Sequence, residues 1–128
     1  KHQNQIIGYI IGIPLEILNR EPWARLDIYF GQKNTIYTYA FVIEKEYKAN
    51  GYAKMLKKVY LNWIKKQEHI HFMTGHVKQG ISNQFKGNIS IINHVENWQG
   101  TGKVFEYYRR EVDPEKLYKK DLKNNKII

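Results

Sequence analysis

Three kinds of residue are scarce or missing in this 128-residue sequence: cysteine is absent, proline occurs three times and methionine twice. The absence of cysteine excludes a disulfide framework, a thiol nucleophile and a cysteine-based zinc site. Long apolar runs are missing too. The most apolar stretch, residues 6–18, is interrupted by Gly8, Gly12 and Pro14 and is shorter than the roughly 18 residues of a membrane helix. We therefore expect no membrane span, and the cytoplasm is the default compartment for such a chain.

Acidic residues are also few, at 12 against 21 lysines and arginines. The resulting net charge of +9 favours an acidic partner such as nucleic acid, an acidic membrane surface or a phosphorylated cofactor. Lysine greatly outnumbers arginine, as a biased genome can produce, so much of this charge is generic. The composition, 42% apolar and 26% charged, is that of one globular domain. We place that domain at residues 1–112 and a basic tail at residues 113–128.

The most informative segment is residues 47–54, which lies between a strand-like run and a helix-like run. The run before it, Thr35–Ile43, is rich in β-branched and aromatic residues. The run after it, residues 52–67, has apolar residues at helical spacing and lysines on the other side. A strand, a short turn with glycine and a helix direct main-chain N–H groups at an anion. This order therefore predicts a phosphate-bearing ligand.

Within that segment the residue types follow the pattern basic-x-x-Gly-x-small, filled by Lys48, Gly51 and Ala53. Gly51 permits a positive φ or a close approach of the backbone to the ligand. Ala53 keeps the entry to the helix narrow. The main-chain N–H groups from Asn50 to Lys54 belong to the first turn, where helices lack internal acceptors, and Lys48 and Lys54 add positive charge. An ordinary strand-to-helix turn explains so short a motif about as well.

The remaining pattern predicts a sheet with one crossover. A helix between two strands makes a βαβ unit with parallel neighbours. A turn at residues 31–34 predicts an antiparallel hairpin between the strands on either side of it. We predict strands at residues 5–13, 24–30, 35–43, 69–77 and 103–112, the long helix at residues 52–67, and a short helix at residues 88–97 with Asn88 as its N-cap.

These features resemble the GNAT family of N-acetyltransferases. The family's pyrophosphate loop reads Arg/Gln-x-x-Gly-x-Gly/Ala, which Lys48, Gly51 and Ala53 match with Lys in the first position. The run before that loop in the family is similar to residues 43–47, and the family's second strand is similar to residues 6–10. The family's fourth helix and late strands are similar to residues 88–98 and 104–108. The resemblance implies an α/β (α+β) fold, a mixed and mostly antiparallel sheet flanked by helices, with a parallel βαβ crossover at the CoA cleft. The family's first strand and first two helices have no counterpart here, so part of the acceptor wall is absent or supplied from outside this sequence.

The resemblance also implies a function, the transfer of an acetyl group from acetyl-CoA to a primary amine on a small molecule or peptide. The amine attacks the thioester directly, which agrees with a chain that has no cysteine. Glu44 is the candidate base, and His94, Tyr107 or Tyr108 the candidate acid. The N–H of Ile43 is expected to polarise the thioester carbonyl. The implied acetyl-CoA contacts are Val42, Ile43, Lys48, Ala49, Asn50, Gly51, Tyr52, Ala53, Lys54 and Asn88.

Three other interpretations stay open. The first is a catalytically silent GNAT-like domain that binds CoA or a protein partner. The second is a basic nucleic-acid-binding module, which the +9 charge and 14% aromatic content favour, but which the placement of the aromatic residues on core faces disfavours. The third is a metal site at His69, His71 and His76, which lacks a carboxylate at a matching offset, so no metal is predicted. A homodimer also stays open.

Overall fold

A computed structural model describes residues 7–44 and 50–113 of the chain. Its strands form one sheet in the order β1-β2-β3-β5-β4, in which β2 and β3 are parallel and the other neighbours antiparallel. This confirms the predicted mixed, mostly antiparallel sheet with a crossover. The strands are β1 (Gly8–Pro14), β2 (Thr35–Ile43), β3 (Phe72–Lys78), β4 (Ile89–Val95) and β5 (Phe105–Glu111), and the helices are α1 (Pro22–Arg25) and α2 (Tyr52–Lys65).

Helix α2 is the predicted crossover helix, and it packs its apolar face on one side of the sheet. Tyr60 and Ile64 are its buried residues. They form one core with Ile36 of β2, Met73 of β3 and Tyr108 of β5. Burial of side chains of this size stabilises the domain by about 1.5–3 kcal/mol each. The helix is therefore fixed across the three central strands.

The opposite face of the sheet is covered by a 3-10 turn at Leu15–Leu18 and by the short helix α1. Leu15 and Ala24 from these elements are fully buried, against Tyr37 of β2 and Tyr107 of β5. The sheet is thus covered on both faces, by one long helix on one side and by a compact β1–β2 connection on the other.

The predicted strand at residues 24–30 is wrong. The chain there forms α1 and a series of turns, because a buried carboxylate rather than apolar alternation decides its fold. Asp27 is 5% exposed, whereas its neighbours Leu26 and Ile28 are 82% and 74% exposed, the reverse of the predicted pattern. The antiparallel partner of β2 is therefore β1, not residues 24–30.

The predicted helix at residues 88–97 is also wrong, because this segment forms edge strand β4 and pairs with β5. Ile89, Ile92 and Val95 fit helical spacing, but the β-branched run in which they lie favours a strand. Asn88 caps no helix; its side-chain amide donates to Glu111 Oε2 at 3.0 Å. The expected CoA contact of Asn88 therefore loses the helix on which it depends.

Candidate functional site

The parallel strands β2 and β3 pair over three residues only, Thr35–Tyr37 with Phe72–Thr74. Beyond these pairs, and among the described residues, β2 continues in register with β1 while β3 continues with β5. The two central strands therefore part after Tyr37 and Thr74. They leave a cleft whose apex lies at Thr38 and Gly75 and which widens towards the end of β2.

A β-bulge coincides with the point where the strands part. Ile11 of β1 faces Ala40 and the next residue, Gly12, faces Thr38, so Tyr39 is the extra residue of β2. Bulges bend the strand that carries them and change which side chains face which way. The bulge therefore supplies a physical reason for the bend of β2 away from β3.

Beyond the bulge, the ladder with β1 determines where the main chain of β2 points. The N–H of Glu44 donates to the carbonyl of Ile7 at 2.6 Å. Because alternate residues of an antiparallel strand bond to the same neighbour, Val42 directs its main-chain groups towards β1, whereas Phe41 and Ile43 direct theirs into the cleft. The register thus favours a main-chain contact of Ile43 with a ligand in the cleft and disfavours such a contact by Val42.

On the α2 face, the cleft contains a cavity of about 220 Å³. Its walls are mainly apolar, with Phe41 from β2, Val77 from β3 and Phe85 from the loop before β4. The ammonium group of Lys57 lies 5.3 Å and 5.5 Å from the ring centres of Phe41 and Phe85, within cation–π range. The cavity is suited to a narrow chain that is apolar along its length.

Hydroxyl groups meet at the apex of the cleft. Thr38 Oγ1 and Tyr60 Oη are 3.0 Å apart, and both residues line the cavity with Tyr108. Gly75 leaves room for the Tyr108 ring, since a Cβ at this position would lie 3.0 Å from Tyr108 Oη. Burial raises the pKa of Tyr108 to about 12 and also raises the pKa of Tyr60. Both phenols are therefore protonated at neutral pH and able to donate.

The start of α2 lies beside the wide end of this cleft. Ile43, at the end of β2, and Tyr52, in the first turn of α2, line the same surface depression. Gly51 is the N-cap with φ of 81°, and no side chain among the described residues caps the helix. Gly51, Ala53 and Lys54 are exposed. Of the predicted loop residues, Lys48 and Ala49 lie outside the described part of the chain, and Asn50 lies in the exposed turn before Gly51.

A second pocket opens on the opposite face of the sheet, and we name it the aromatic pocket. Its volume is about 600 Å³. It is lined by Leu18, Glu21, Trp23, Tyr37, Tyr39, Trp98 and Gln99.

A histidine supports the wall of the aromatic pocket. The rings of His76 and Trp98 stack with centres 3.8 Å apart, and His76 Nδ1 is 2.8 Å from Tyr37 Oη. Burial lowers the pKa of His76 to about 4 and raises that of Tyr37. The imidazole is consequently neutral at pH 7. Tyr37 is the last residue of β2 that pairs with β3, and Tyr37 and Tyr39, on either side of Thr38, both line the pocket, so the pocket lies next to the apex of the cleft on the other face.

The structure does not bring the three predicted catalytic residues together. Glu44 is exposed and follows the last residue of β2, at the wide end of the cleft. His94 is exposed on edge strand β4. Tyr107 is 3% exposed on the face opposite α2, where its hydroxyl donates to Asp27 Oδ2 at 2.6 Å. Tyr108, the alternative acid, is the late-strand tyrosine that lines the cavity.

Sequence reasoning misses most of the residues that surround the apex. The helical spacing puts Tyr60 on an apolar core face and gives no role to its hydroxyl. The sequence presents His76 only as a metal ligand, and Trp98 only as the end of a helix-like segment. The one signal for the apex is the alternation in residues 35–43, which places Tyr37 and Thr38 on opposite faces of a strand that ends at the glycine turn.

Within residues 7–44 and 50–113, no group of three or more His, Asp or Glu side chains is placed to hold a metal ion. No helix in the same part of the chain combines the length and apolar character needed to cross a bilayer.

Sequence comparison identifies no relative, since no protein-family model matches the chain and no curated protein matches it. Structure comparison does. The chain is similar to a proposed acetyltransferase of the GNAT family from Desulfovibrio desulfuricans, with a TM-score of 0.62 and 13% identity over 88% of this chain and 66% of that one. It is also similar to an aminoglycoside 6'-N-acetyltransferase complexed with coenzyme A, with a TM-score of 0.59 and 11% identity over 89% and 71% of the two chains.

A third solved structure, NAA60 from Arabidopsis thaliana in complex with acetyl-CoA, matches with a TM-score of 0.58 and 12% identity over 86% of this chain and 68% of that one. The chain thus spans about two thirds of the length of these neighbours. Identities this low carry the fold and not the chemistry. The parted central strands, the crossover helix and these neighbours together show that the chain has the GNAT fold.

Proposed function

We propose that this chain binds acetyl-CoA in the cleft between β2 and β3 and transfers the acyl group to a primary amine. The observation that carries the proposal is that β2 and β3 part after Tyr37 and Thr74 and that the start of α2 lies at the wide end of the resulting cleft, beside Ile43. Two of the structural neighbours were solved with CoA or acetyl-CoA. One of them is named as an enzyme that acetylates a nitrogen of an aminoglycoside. Those facts belong to the neighbours and support the proposal through fold only.

The residues present fit a diphosphate joined to a long, thin arm. Exposed first-turn N–H groups at Ala53 and Lys54 and the charge of Lys54 suit the diphosphate. The main-chain groups of Ile43 and Phe41 face the cleft and suit the amides of the arm, which would add to β2 as a strand does. The apolar wall at Phe41 and Val77 suits its methylene groups.

The length of the arm determines where the thioester lies. About thirteen bonds separate the sulfur of CoA from its nearest phosphorus, roughly the length of four extended residues or about 15 Å. Measured back along β2 from Ile43, that distance ends near Tyr39 and Thr38, at the apex of the cleft. The reacting carbon is thus expected at the apex, so main-chain N–H groups that face the cleft just after Thr38, rather than that of Ile43, are expected to polarise its carbonyl.

The proposed reaction needs only proton transfer from this chain. The amine nitrogen forms a bond to the carbonyl carbon, the carbon–sulfur bond breaks, the nitrogen loses one proton and the sulfur gains one. We assign proton donation to the sulfur to Tyr108, because it is protonated and lines the cavity together with Tyr60. The sequence predictions for Glu44, His94 and Tyr107 stay predictions.

For Glu44 the geometry sets a condition. Glu44 lies six residues beyond Thr38, which corresponds to about 20 Å of extended chain. Direct contact with an amine at the apex is excluded at that distance, so a role as base requires a chain of waters. A kinetic comparison with the parent chain therefore includes Glu44→Gln to test the predicted base. It also includes His94→Gln to test the predicted acid on β4.

Two measurements test the function. Isothermal titration with acetyl-CoA is expected to show saturable binding that free adenosine does not reproduce. Release of CoA is expected to depend on an added primary amine. Binding without release in the presence of any amine identifies a catalytically silent CoA-binding domain, and the absence of binding overturns the proposal.

A further inference from the structure

The aromatic pocket has a charge opposite to that of the whole chain. Glu21 is the one charged side chain among the described residues that line it, whereas the chain carries a net charge of +9. No lysine or arginine lines the pocket within the same described residues. A cation is therefore attracted to this pocket, and a carboxylate finds no partner in it.

The rings of the pocket point to the same ligand chemistry. Trp23, Trp98 and Tyr39 supply the aromatic surface, and Tyr39 is 62% exposed. Aromatic faces attract cations within about 6 Å of the ring centre, and tryptophan does so best. His76, which stacks on Trp98, is neutral at pH 7 because burial lowers its pKa to about 4, so it does not repel a cation.

The cation that the pocket recognises is not the nitrogen that reacts. A nitrogen attacks a thioester through its free electron pair, so the reacting amine is uncharged at that moment. An acceptor in this pocket could therefore place a second charge against Glu21 and the rings while its neutral amine lies towards the apex, beside Tyr37 and Tyr39. A pocket of about 600 Å³ gives room for both groups and a connecting chain.

We propose that the aromatic pocket binds the acceptor, and that the acceptor is an amine carrying a second cationic group and no carboxylate, such as an aliphatic diamine or polyamine. This inference rests on the proposed function for the transfer step, but cation binding in the pocket stands independently of it.

The first experiment measures binding without catalysis. Hexamethonium, a bis-quaternary ammonium ion that cannot be acetylated, is titrated into the Trp63→Phe variant, in which both remaining tryptophans line the pocket. We expect saturable quenching of fluorescence and about tenfold weaker binding after Glu21→Gln. Glu21 makes no side-chain cap bond to α1, so the substitution leaves the fold intact. Glu68→Gln, in the turn after α2, changes the net charge equally and is expected to leave binding unchanged.

The second experiment uses a matched pair of acceptors. Cadaverine and lysine carry the same two amines and differ by one carboxylate. With acetyl-CoA, we expect kcat/KM for cadaverine to exceed that for lysine at least tenfold, and Glu21→Gln to reduce this ratio.

The two proposals fail in distinguishable ways. Any one of three results would overturn the acceptor assignment while leaving acetyl transfer standing. They are absent or non-saturable quenching by hexamethonium, equal weakening of its binding by Glu21→Gln and Glu68→Gln, and equal rates with cadaverine and lysine. Hexamethonium binding that depends on Glu21 in a protein that does not bind acetyl-CoA would support the cation pocket and overturn the transferase.

Discussion

The two faces of the sheet at the cleft differ in the chemistry that they present. The α2 face has an apolar cavity with Lys57 over two of its rings and an exposed helix start nearby. The opposite face has an aromatic pocket whose one charged lining residue, among those described, is Glu21. One face therefore suits an anionic ligand with a thin apolar arm, and the other a cation. The difference teaches that a chain of net charge +9 can still present surfaces of opposite electrostatic character on the two sides of a single parted pair of strands.

The largest expected effect concerns how the opposite face is built. Asp27 accepts hydrogen bonds from Tyr107 Oη, Arg109 Nη2 at 2.7 Å and the main chain of Tyr29 at 2.9 Å. Asp27→Asn breaks the ion pair with Arg109 and is expected to lower the free energy of unfolding by about 3 kcal/mol, because it leaves a largely buried guanidinium unpaired. Urea titration measures this change. A loss below about 1 kcal/mol would show that the loop is held mainly by apolar packing.

The next effect compares neighbouring tyrosines on opposite faces. Tyr108→Phe is expected to lower kcat about 100-fold with little change in KM, because the variant lacks the hydroxyl that we propose as the proton donor to the sulfur. Tyr107→Phe is expected to reduce stability by about 1–2 kcal/mol through the lost bond to Asp27, with kcat changed less than threefold. Steady-state kinetics on both variants make the comparison. The reverse pattern would return the acid role to Tyr107.

A smaller effect tests the start of α2. Gly51→Asp and Gly51→Asn place side chains of the same shape at a position with φ of 81°, where a Cβ would meet no atom within 4 Å, so both carry similar backbone strain. We expect Gly51→Asp to weaken acetyl-CoA binding at least tenfold, which is about 1.4 kcal/mol, since its carboxylate repels the diphosphate. Gly51→Asn is the control and is expected to bind within threefold of the parent chain. Equal titration curves for the two variants would place the diphosphate elsewhere.

The last effect, similar in size to that of Gly51→Asp, is a pH dependence of stability on the aromatic side of the sheet. The pKa of His76 is about 4 in the folded chain and about 6.5 when unfolded, so the unfolded chain binds more protons between these values. The contribution of His76 to stability is complete above pH 6.5 and is lost as the pH falls towards 4, by about 1–2 kcal/mol after allowance for its partial exposure. His76→Phe is expected to flatten this part of the stability profile. If the free energy of unfolding of the variant fell equally steeply between pH 6.5 and 4, the loss of stability would be due to carboxylates and not to His76.

Some parts of the fold and site could be predicted from the sequence because local pattern and tertiary packing agree there. The helix at Tyr52–Lys65 has one apolar face, and the glycine before it takes the positive φ that its position requires. Residues 24–30 could not be predicted, because a long-range partner decides their structure, whereas residues 88–97 carry two competing local signals, helical spacing and a β-branched run, between which pairing with β5 decides. Asp27 accepts a hydrogen bond from Arg109, 82 residues away, and the segment Ile89–Val95 is a strand because it pairs with β5.

The site was predictable to the same extent. The glycine turn and Ile43 lie at the wide end of the cleft, where the resemblance leads one to expect them, and their contact with a ligand stays a prediction. The apex was not predictable, because it depends on a bulge at Tyr39 that no local signal marks and on side chains from β2, α2 and β5 that meet only in the folded chain.

The most direct test of the parted strands as an acetyl-CoA site is a crystal structure of the chain with acetyl-CoA. We predict density for the diphosphate at Gly51 and the first turn of α2, with the arm along Phe41 and Ile43 and the thioester at the apex beside Thr38 and Tyr108. Density for acetyl-CoA at any other surface, or a cleft between β2 and β3 that stays empty at saturating ligand, would contradict it.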